Sequence, residues 1–252
     1  MSQRTILLTG ATGRIGRVLT RHFLKAGDRV VATSRSRESA AVLEAEFAEH
    51  SEKGSLRLKI VDLDEPEACA ALAGAVAAMG PAALINNARN LVNLAVGSDG
   101  NVGRAEFEGE LRLGVIVPYE LTVALLDAGA PLGAVVNIGS IYGVTAFNTA
   151  LYDDPGRQAP LQYGVAKAAL LHLTKELAVR LAPRNVRVNA VSYGGVEGRA
   201  PQEFRARYGR LCPQGRMLDD DDIAGPVEFL ISSGARAVTG HNLIADGGWT
   251  LW

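Results

Sequence analysis

Short apolar runs rich in β-branched residues alternate with longer stretches whose apolar positions recur at helical spacing. The runs predict strands at residues 5–9, 29–33, 56–61, 83–85, 134–138, 187–191 and 242–245. The stretches between them predict helices at 17–26, 38–49, 66–79, 107–128, 161–181 and 220–232. Strands that alternate with helices form a parallel sheet through right-handed crossovers, with helices on both faces. The expected fold is therefore α/β, a doubly wound Rossmann-type sheet. No repeat, low-complexity tract or Pro/Gly/Ser linker interrupts the alternation, so residues 1–252 read as one domain. Two long irregular stretches, 88–104 and 142–160, should leave the carboxyl ends of strands, where ligands bind in such folds.

Composition adds exclusions. Apolar residues make up 48% of the chain and charged ones 21%, an ordinary globular balance. A net charge of −1 offers no basic surface for nucleic acid. Cys69 and Cys212 stand far apart, and the four histidines are scattered, so no metal site is expected. The first apolar run, Ile6-Leu7-Leu8, is too short for a signal peptide or a membrane span. The expectation is a cytoplasmic protein with a small-molecule substrate and no membrane partner.

Two patterns carry chemistry. Thr9-Gly10-Ala11-Thr12-Gly13-Arg14-Ile15-Gly16 follows the first strand and opens the first helix. Glycines there permit a tight turn and close approach of a pyrophosphate to a helix N-terminus. An acidic residue at the end of the second strand would hold the 2′-hydroxyl of NAD, and an Arg there would accommodate the 2′-phosphate of NADP. This chain has Ser34-Arg35-Ser36-Arg37 and no carboxylate until Glu38. Arg35 and Arg37, with Arg14 as a further candidate, favour NADP(H) over NAD(H). Further on, Tyr163 and Lys167 lie four residues apart in a helical run, on one face and one turn apart. A phenol titrates near pH 10, and a neighbouring ammonium favours its ionised form, so the pair is a candidate general acid/base.

Together these segments resemble the short-chain dehydrogenase/reductase family, in its compact branch, over essentially the whole chain. The segments that carry the likeness are Thr9–Gly16, Asp62, Asn86-Asn87-Ala88, Ser140, Tyr163/Lys167, Arg187–Val191, Val238-Thr239-Gly240 and Asp246-Gly247-Gly248. The resemblance implies that Ser140, Tyr163 and Lys167 are catalytic. Ser140 would bond the reacting oxygen, Tyr163 would pass the proton and Lys167 would hold the nicotinamide ribose. It implies cofactor contacts at Gly10, Thr12, Gly13, Arg14, Ile15, Gly16, Ser34, Arg35, Asp62, Leu63, Asn87, Ala88, Tyr163, Lys167, Gly194 and Val196. Arg89, Tyr142 and Tyr193 are the candidate substrate contacts. A homodimer or homotetramer built on the helices at 107–128 and 161–181 is also implied, with the aromatic tail at 249–252 a candidate subunit contact.

The chain departs from the family pattern at several positions. Arg14 takes the place of a glycine, Arg89 that of the last glycine of Asn-Asn-Ala-Gly, and Tyr193 that of a proline. Gly114 falls where the catalytic tetrad has an Asn. Residues 87–89, 117–121, 193–198 and 249–252 are similar to a subgroup associated with bacterial surface-sugar and flagellin modification. The leading expectation is hydride transfer on a carbonyl/alcohol pair, in a sugar derivative bound for a surface glycan. A catalytically weak NADP-binding sensor or scaffold and a sugar epimerase or dehydratase are the competing readings.

Overall fold

The computed structural model describes residues 3–198 and 200–252. Seven parallel strands lie in the order β3-β2-β1-β4-β5-β6-β7. They are β1 (Thr5–Leu8), β2 (Arg29–Ser34), β3 (Leu56–Ile60), β4 (Pro81–Asn86), β5 (Ala134–Ser140), β6 (Arg187–Tyr193) and β7 (Asn242–Ala245). The strand order reverses between β1 and β4, whose residues Leu8 and Ile85 pair at the carboxyl ends. That crevice is where ligands sit in open α/β sheets.

The central strands are apolar on both faces because helices cover both. Ile6, Leu8, Val30, Ala32, Val136 and Val191 pack on one side with α1 (Arg14–Lys25) and a C-terminal helix, Asp221–Ile231. Leu7, Val31, Leu84, Val135 and Val188 pack on the other. There they meet α4 (Ala68–Val76), α6 (Val117–Asp127) and α8 (Leu161–Leu181). The remaining helices are α2 (Arg37–Glu46), α3 (Ala48–Glu52), α5 (Arg104–Leu111), the single turn α7 (Pro155–Gln158) and α9 (Gln202–Leu211); Asp221–Ile231 is α10.

Three expectations change. The helix expected over 107–128 is α5, a π-helical turn at Arg112–Ile116, and α6. The widened turn holds Gly114, and π turns often mark functional sites. A Cβ at Gly114 would meet only the Ala166 Cβ, at an ordinary 3.5 Å. Gly114→Ala is therefore expected to raise stability by about 0.5–1 kcal/mol in urea unfolding, because glycine costs helices backbone entropy. Second, α9 carries no expected helix, since its mixed charges hide its one buried residue, Tyr208. Third, the 142–160 stretch is not loose. Arg207 of α9 donates to the Leu151 carbonyl at 2.9 Å and to Asp153 at 2.8 Å. Tyr208 stacks on Trp249 with ring centroids 4.3 Å apart, so Trp249 packs within this chain, while Leu251 and Trp252 of the same tail are exposed.

Candidate active site

The glycine turn is built by close backbone contacts. Gly10 has φ +63°, and a Cβ there would lie 2.7 Å from the Ala88 Cα. A Cβ on Gly16 would lie 2.3 Å from the Gly10 carbonyl oxygen, so only glycine lets α1 start against the turn. Asn87 locks this arrangement, donating from its side chain to the Thr9 and Gly10 carbonyls at 3.0 Å each. Gly13 differs. A Cβ there would make only an ordinary 3.5 Å contact, so nothing in the protein demands glycine. It is the N-cap of α1 and supplies no side-chain cap, leaving the helix N-terminus open to an anion.

Beside the turn lies a cavity of about 180 Å³. Gly10, Thr12, Ser34, Arg35, Asp62, Leu63, Ala88 and Arg89 all line it, so those expected positions converge. Arg35 is exposed and has no ion-pair partner among the described residues. Ser34 turns its hydroxyl to the Ser36 carbonyl, and Ser36 caps α2 by accepting the Ser39 N–H. The open N-terminus and the uncovered Gly13 fit a dinucleotide.

Other expected positions fall elsewhere. Arg14 pairs with Asp220 at 2.8 Å in an exposed ion pair, lies against Gly198 in the segment after β6, and does not line the cavity. Arg37 is the first residue of α2 and also stands outside the lining. Ile15 packs on the core. Gly194 and Val196 follow β6 at the correct end of the sheet but line neither cavity. Tyr193 is corrected outright as a substrate contact. It is 3% exposed in the core under α10, where its hydroxyl donates to the Ile223 carbonyl. The alternation of β6 decides this, since residue 193 points to the same face as Val191.

The chemical groups meet between β5 and α8. Ser140 ends β5 and is followed by a 3₁₀ turn at Ile141–Gly143; its Oγ accepts the Tyr142 N–H at 3.2 Å. A Cβ on Gly143 would lie 2.8 Å from the Lys167 backbone. One on Gly164 would lie 3.1 Å from the Tyr142 carbonyl oxygen. These two glycines let the turn after Ser140 lie directly on α8, and their spacing from Ser140 and Tyr163 was the sequence signal for it. Lys167 is buried, and its Nζ donates to the Ile138 carbonyl at 2.6 Å. It stands 5.7 Å from the centroid of the Tyr163 ring, while Arg89 lies 5.0 Å from the same ring. The Tyr142 ring meets Tyr163 edge-on, with centroids 6.4 Å apart, and its hydroxyl bonds Tyr152. Burial pushes the Lys167 ammonium below its ordinary range; Tyr163 and Glu110 oppose that shift, and Arg89 adds to it. A half-buried phenol, a tethered ammonium and a strand-end hydroxyl are the parts needed to exchange one proton with a carbonyl or alcohol.

Sequence inspection missed Glu110. It is 2% exposed on α5, its Oε2 has no hydrogen-bond partner among the described residues, and burial raises its carboxyl above the ordinary range. A carboxylate one helical turn before the unusual Gly114 was the available signal.

Comparison with known proteins agrees with this geometry. A family model described as enoyl-(acyl carrier protein) reductase matches residues 10–250. Post-translational flagellin modification protein A of Campylobacter coli is 28% identical over all of both chains. D-erythrulose reductase of Gallus gallus is 32% identical, covering 98% of this chain and 96% of its own. A short-chain dehydrogenase from Leptospira borgpetersenii, solved with bound NAD+, superposes with a TM-score of 0.85 at 26% identity. That match covers 99% of this chain and 94% of the other.

Proposed function

This chain belongs to the short-chain dehydrogenase/reductase family, and from that premise we propose that it is an NADP(H)-dependent reductase of a polyhydroxylated carbonyl compound, a sugar derivative destined for a surface glycan. The observation that carries the reading is the Tyr163–Lys167 pair, with Lys167 tethered to β5 through the Ile138 carbonyl and the turn after Ser140 packed directly on α8. The cofactor, bound along the turn at Gly10–Gly16, would supply the hydride. Ser140 holds the substrate oxygen, Tyr163 gives it the proton, and Lys167 fixes a cationic charge against the Tyr163 ring. The substrate class rests on the flagellin-modification and erythrulose relatives, and on Tyr142 and Tyr152 beside the pair.

The preference for NADP(H) rests on Arg35. Arg35 lines the cavity together with Ser34, Ser36 and Ser39. A charge-assisted bond to a phosphate contributes about 1.5–3 kcal/mol. Arg35→Ala should therefore weaken NADPH binding roughly tenfold or more and leave NADH binding nearly unchanged. Calorimetric titration with both nucleotides checks it; equal losses for both would overturn the preference. For the reaction itself, NADPH consumption with ketoses and keto-sugars is the test. Turnover that depends on such a ketone supports the reading, and none across the class defeats it.

We also propose a cytoplasmic homo-oligomer. Ile116, Tyr119, Leu161, Val165 and Val179 are exposed apolar positions on or next to α6 and α8 and support it. The described residues contain no helix long and apolar enough to cross a membrane.

A further inference from the structure

Proton transfer by Ser140, Tyr163 and Lys167 leaves two phenols between β5 and α8 without a step. The Tyr142 and Tyr152 hydroxyls bond each other, and neither oxygen has another hydrogen-bond partner among the described residues. One of the two protons is held inside the pair, and the other has no protein acceptor. Burial pushes both phenols above their ordinary range, so the pair stays protonated and neutral.

The pair stands against the groups that handle the proton. The Tyr142 N–H donates to Ser140 Oγ at 3.2 Å, and the Tyr142 ring meets Tyr163 edge-on with centroids 6.4 Å apart. A Cβ on Gly164, the residue after Tyr163, would lie 3.8 Å from the Tyr142 Cβ. Tyr142 is thus fixed between Ser140 and Tyr163. Tyr152 is brought to it by α9. The Tyr152 ring meets Phe204 of α9 at 5.7 Å and Phe147 at 6.2 Å, and neither ring offers an acceptor. Arg207 of α9 grips the residues on either side, donating to the Leu151 carbonyl at 2.9 Å and to Asp153 at 2.8 Å. Gln158 closes the same turn by accepting the Asp153 and Asp154 N–H groups at 3.0 Å each.

We propose that the Tyr142–Tyr152 pair is a recognition site for a neutral hydroxyl of the substrate near its reacting carbonyl, with Tyr152 the residue that sets this specificity and Arg207 the positioning residue behind it. The site serves the proposed reductase and rests on that reading, to which it adds the group by which substrates are told apart. A hydroxyl both donates and accepts, so it takes the spare phenol proton and returns its own to a phenol oxygen. A plain ketone offers only methylene there and leaves that proton without a partner, which counts against it. Because α9 holds the pair ready-made, little ordering is left for the moment of binding.

The probes are D-erythrulose and butan-2-one, ketones that share a carbon skeleton and differ in hydroxyl groups alone. With NADPH, the wild type should favour D-erythrulose by roughly tenfold or more in kcat/KM. Tyr152→Phe should lower that ratio by about threefold to tenfold, the worth of one neutral hydrogen bond. Tyr142→Phe should lower it as far and the double variant no further, because each hydroxyl works through the other. Arg207→Gln, which releases the Leu151 carbonyl, should lower it as well. Equal losses on both ketones in Tyr152→Phe would mark a merely structural role and overturn the proposal, as would losses that add in the double variant. Turnover of butan-2-one as efficient as that of D-erythrulose would sustain the reductase and overturn the hydroxyl site. Ligand-observed NMR with the full chain and NADP+, which cannot reduce either ketone, reads binding separately. A preference for D-erythrulose that is lost in Tyr152→Phe, in a protein that turns over neither, would remove the proposed reductase and keep the site. Equal or absent binding of the two, with no turnover, overturns both.

Discussion

Tyr163→Phe is expected to lower kcat by roughly 100- to 10,000-fold, the range for removing a general acid/base, with NADPH affinity within about twofold of wild type. The substitution deletes one oxygen and keeps the ring, so the edge contact with Tyr142 and the cation contacts from Arg89 and Lys167 persist. Folding is therefore preserved, and the loss falls on the proton. Single-turnover absorbance of NADPH at saturating ketone, beside a binding titration, separates the two effects. Retained turnover would reject Tyr163 as the proton donor, and equal loss of binding would show that the phenol holds the cofactor instead.

Gly16→Ala is the largest expected effect on folding. Alanine normally gains about 1 kcal/mol over glycine inside a helix. Here the added Cβ would stand 2.3 Å from the Gly10 carbonyl oxygen and 2.6 Å from the Ala11 Cα, both backbone atoms of the turn. Neither can swing aside as a side chain would, so α1 must move off the turn. Steric strain of this kind costs about 1–3 kcal/mol or more and outweighs the helical gain, and a net loss of roughly 2 kcal/mol in urea unfolding is expected. Nucleotide affinity should fall with it, because the same turn presents Gly13 and the open end of α1. Gly13→Ala is the control, since its Cβ has room in the protein. It should leave stability nearly unchanged while weakening nucleotide binding, which separates a structural glycine from one kept open for a ligand.

The alternation of strands and helices was legible because two-sided burial makes parallel strands continuous apolar runs, and every expected strand appears. Asp62 and Ser140 came in only through the family resemblance, whereas the glycine turn, Ser34-Arg35 and the Tyr163/Lys167 pair were readable as candidates from local spacing. Helix α9 was not, since its one buried residue, Tyr208, gains meaning only from Trp249, 41 positions later in the chain. Tyr193 was misplaced for a related reason. Sequence position put it at the carboxyl end of the sheet, but a partner remote in the chain, the Ile223 carbonyl, holds its side chain in the core.

What the sequence by itself determined about this protein is the part governed by local covalent geometry: strand and helix periods, the turn that only glycine can make, and a Tyr and Lys one helical turn apart. What the tertiary structure alone decided is which polar groups lost their water and what faces them. Lys167 is tied to a carbonyl of β5, Arg35 is left without an ion-pair partner among the described residues at the cavity, and Glu110 is buried on α5. Desolvation and Coulomb forces act through space, and no local pattern in a chain encodes the distance between segments that only folding brings together.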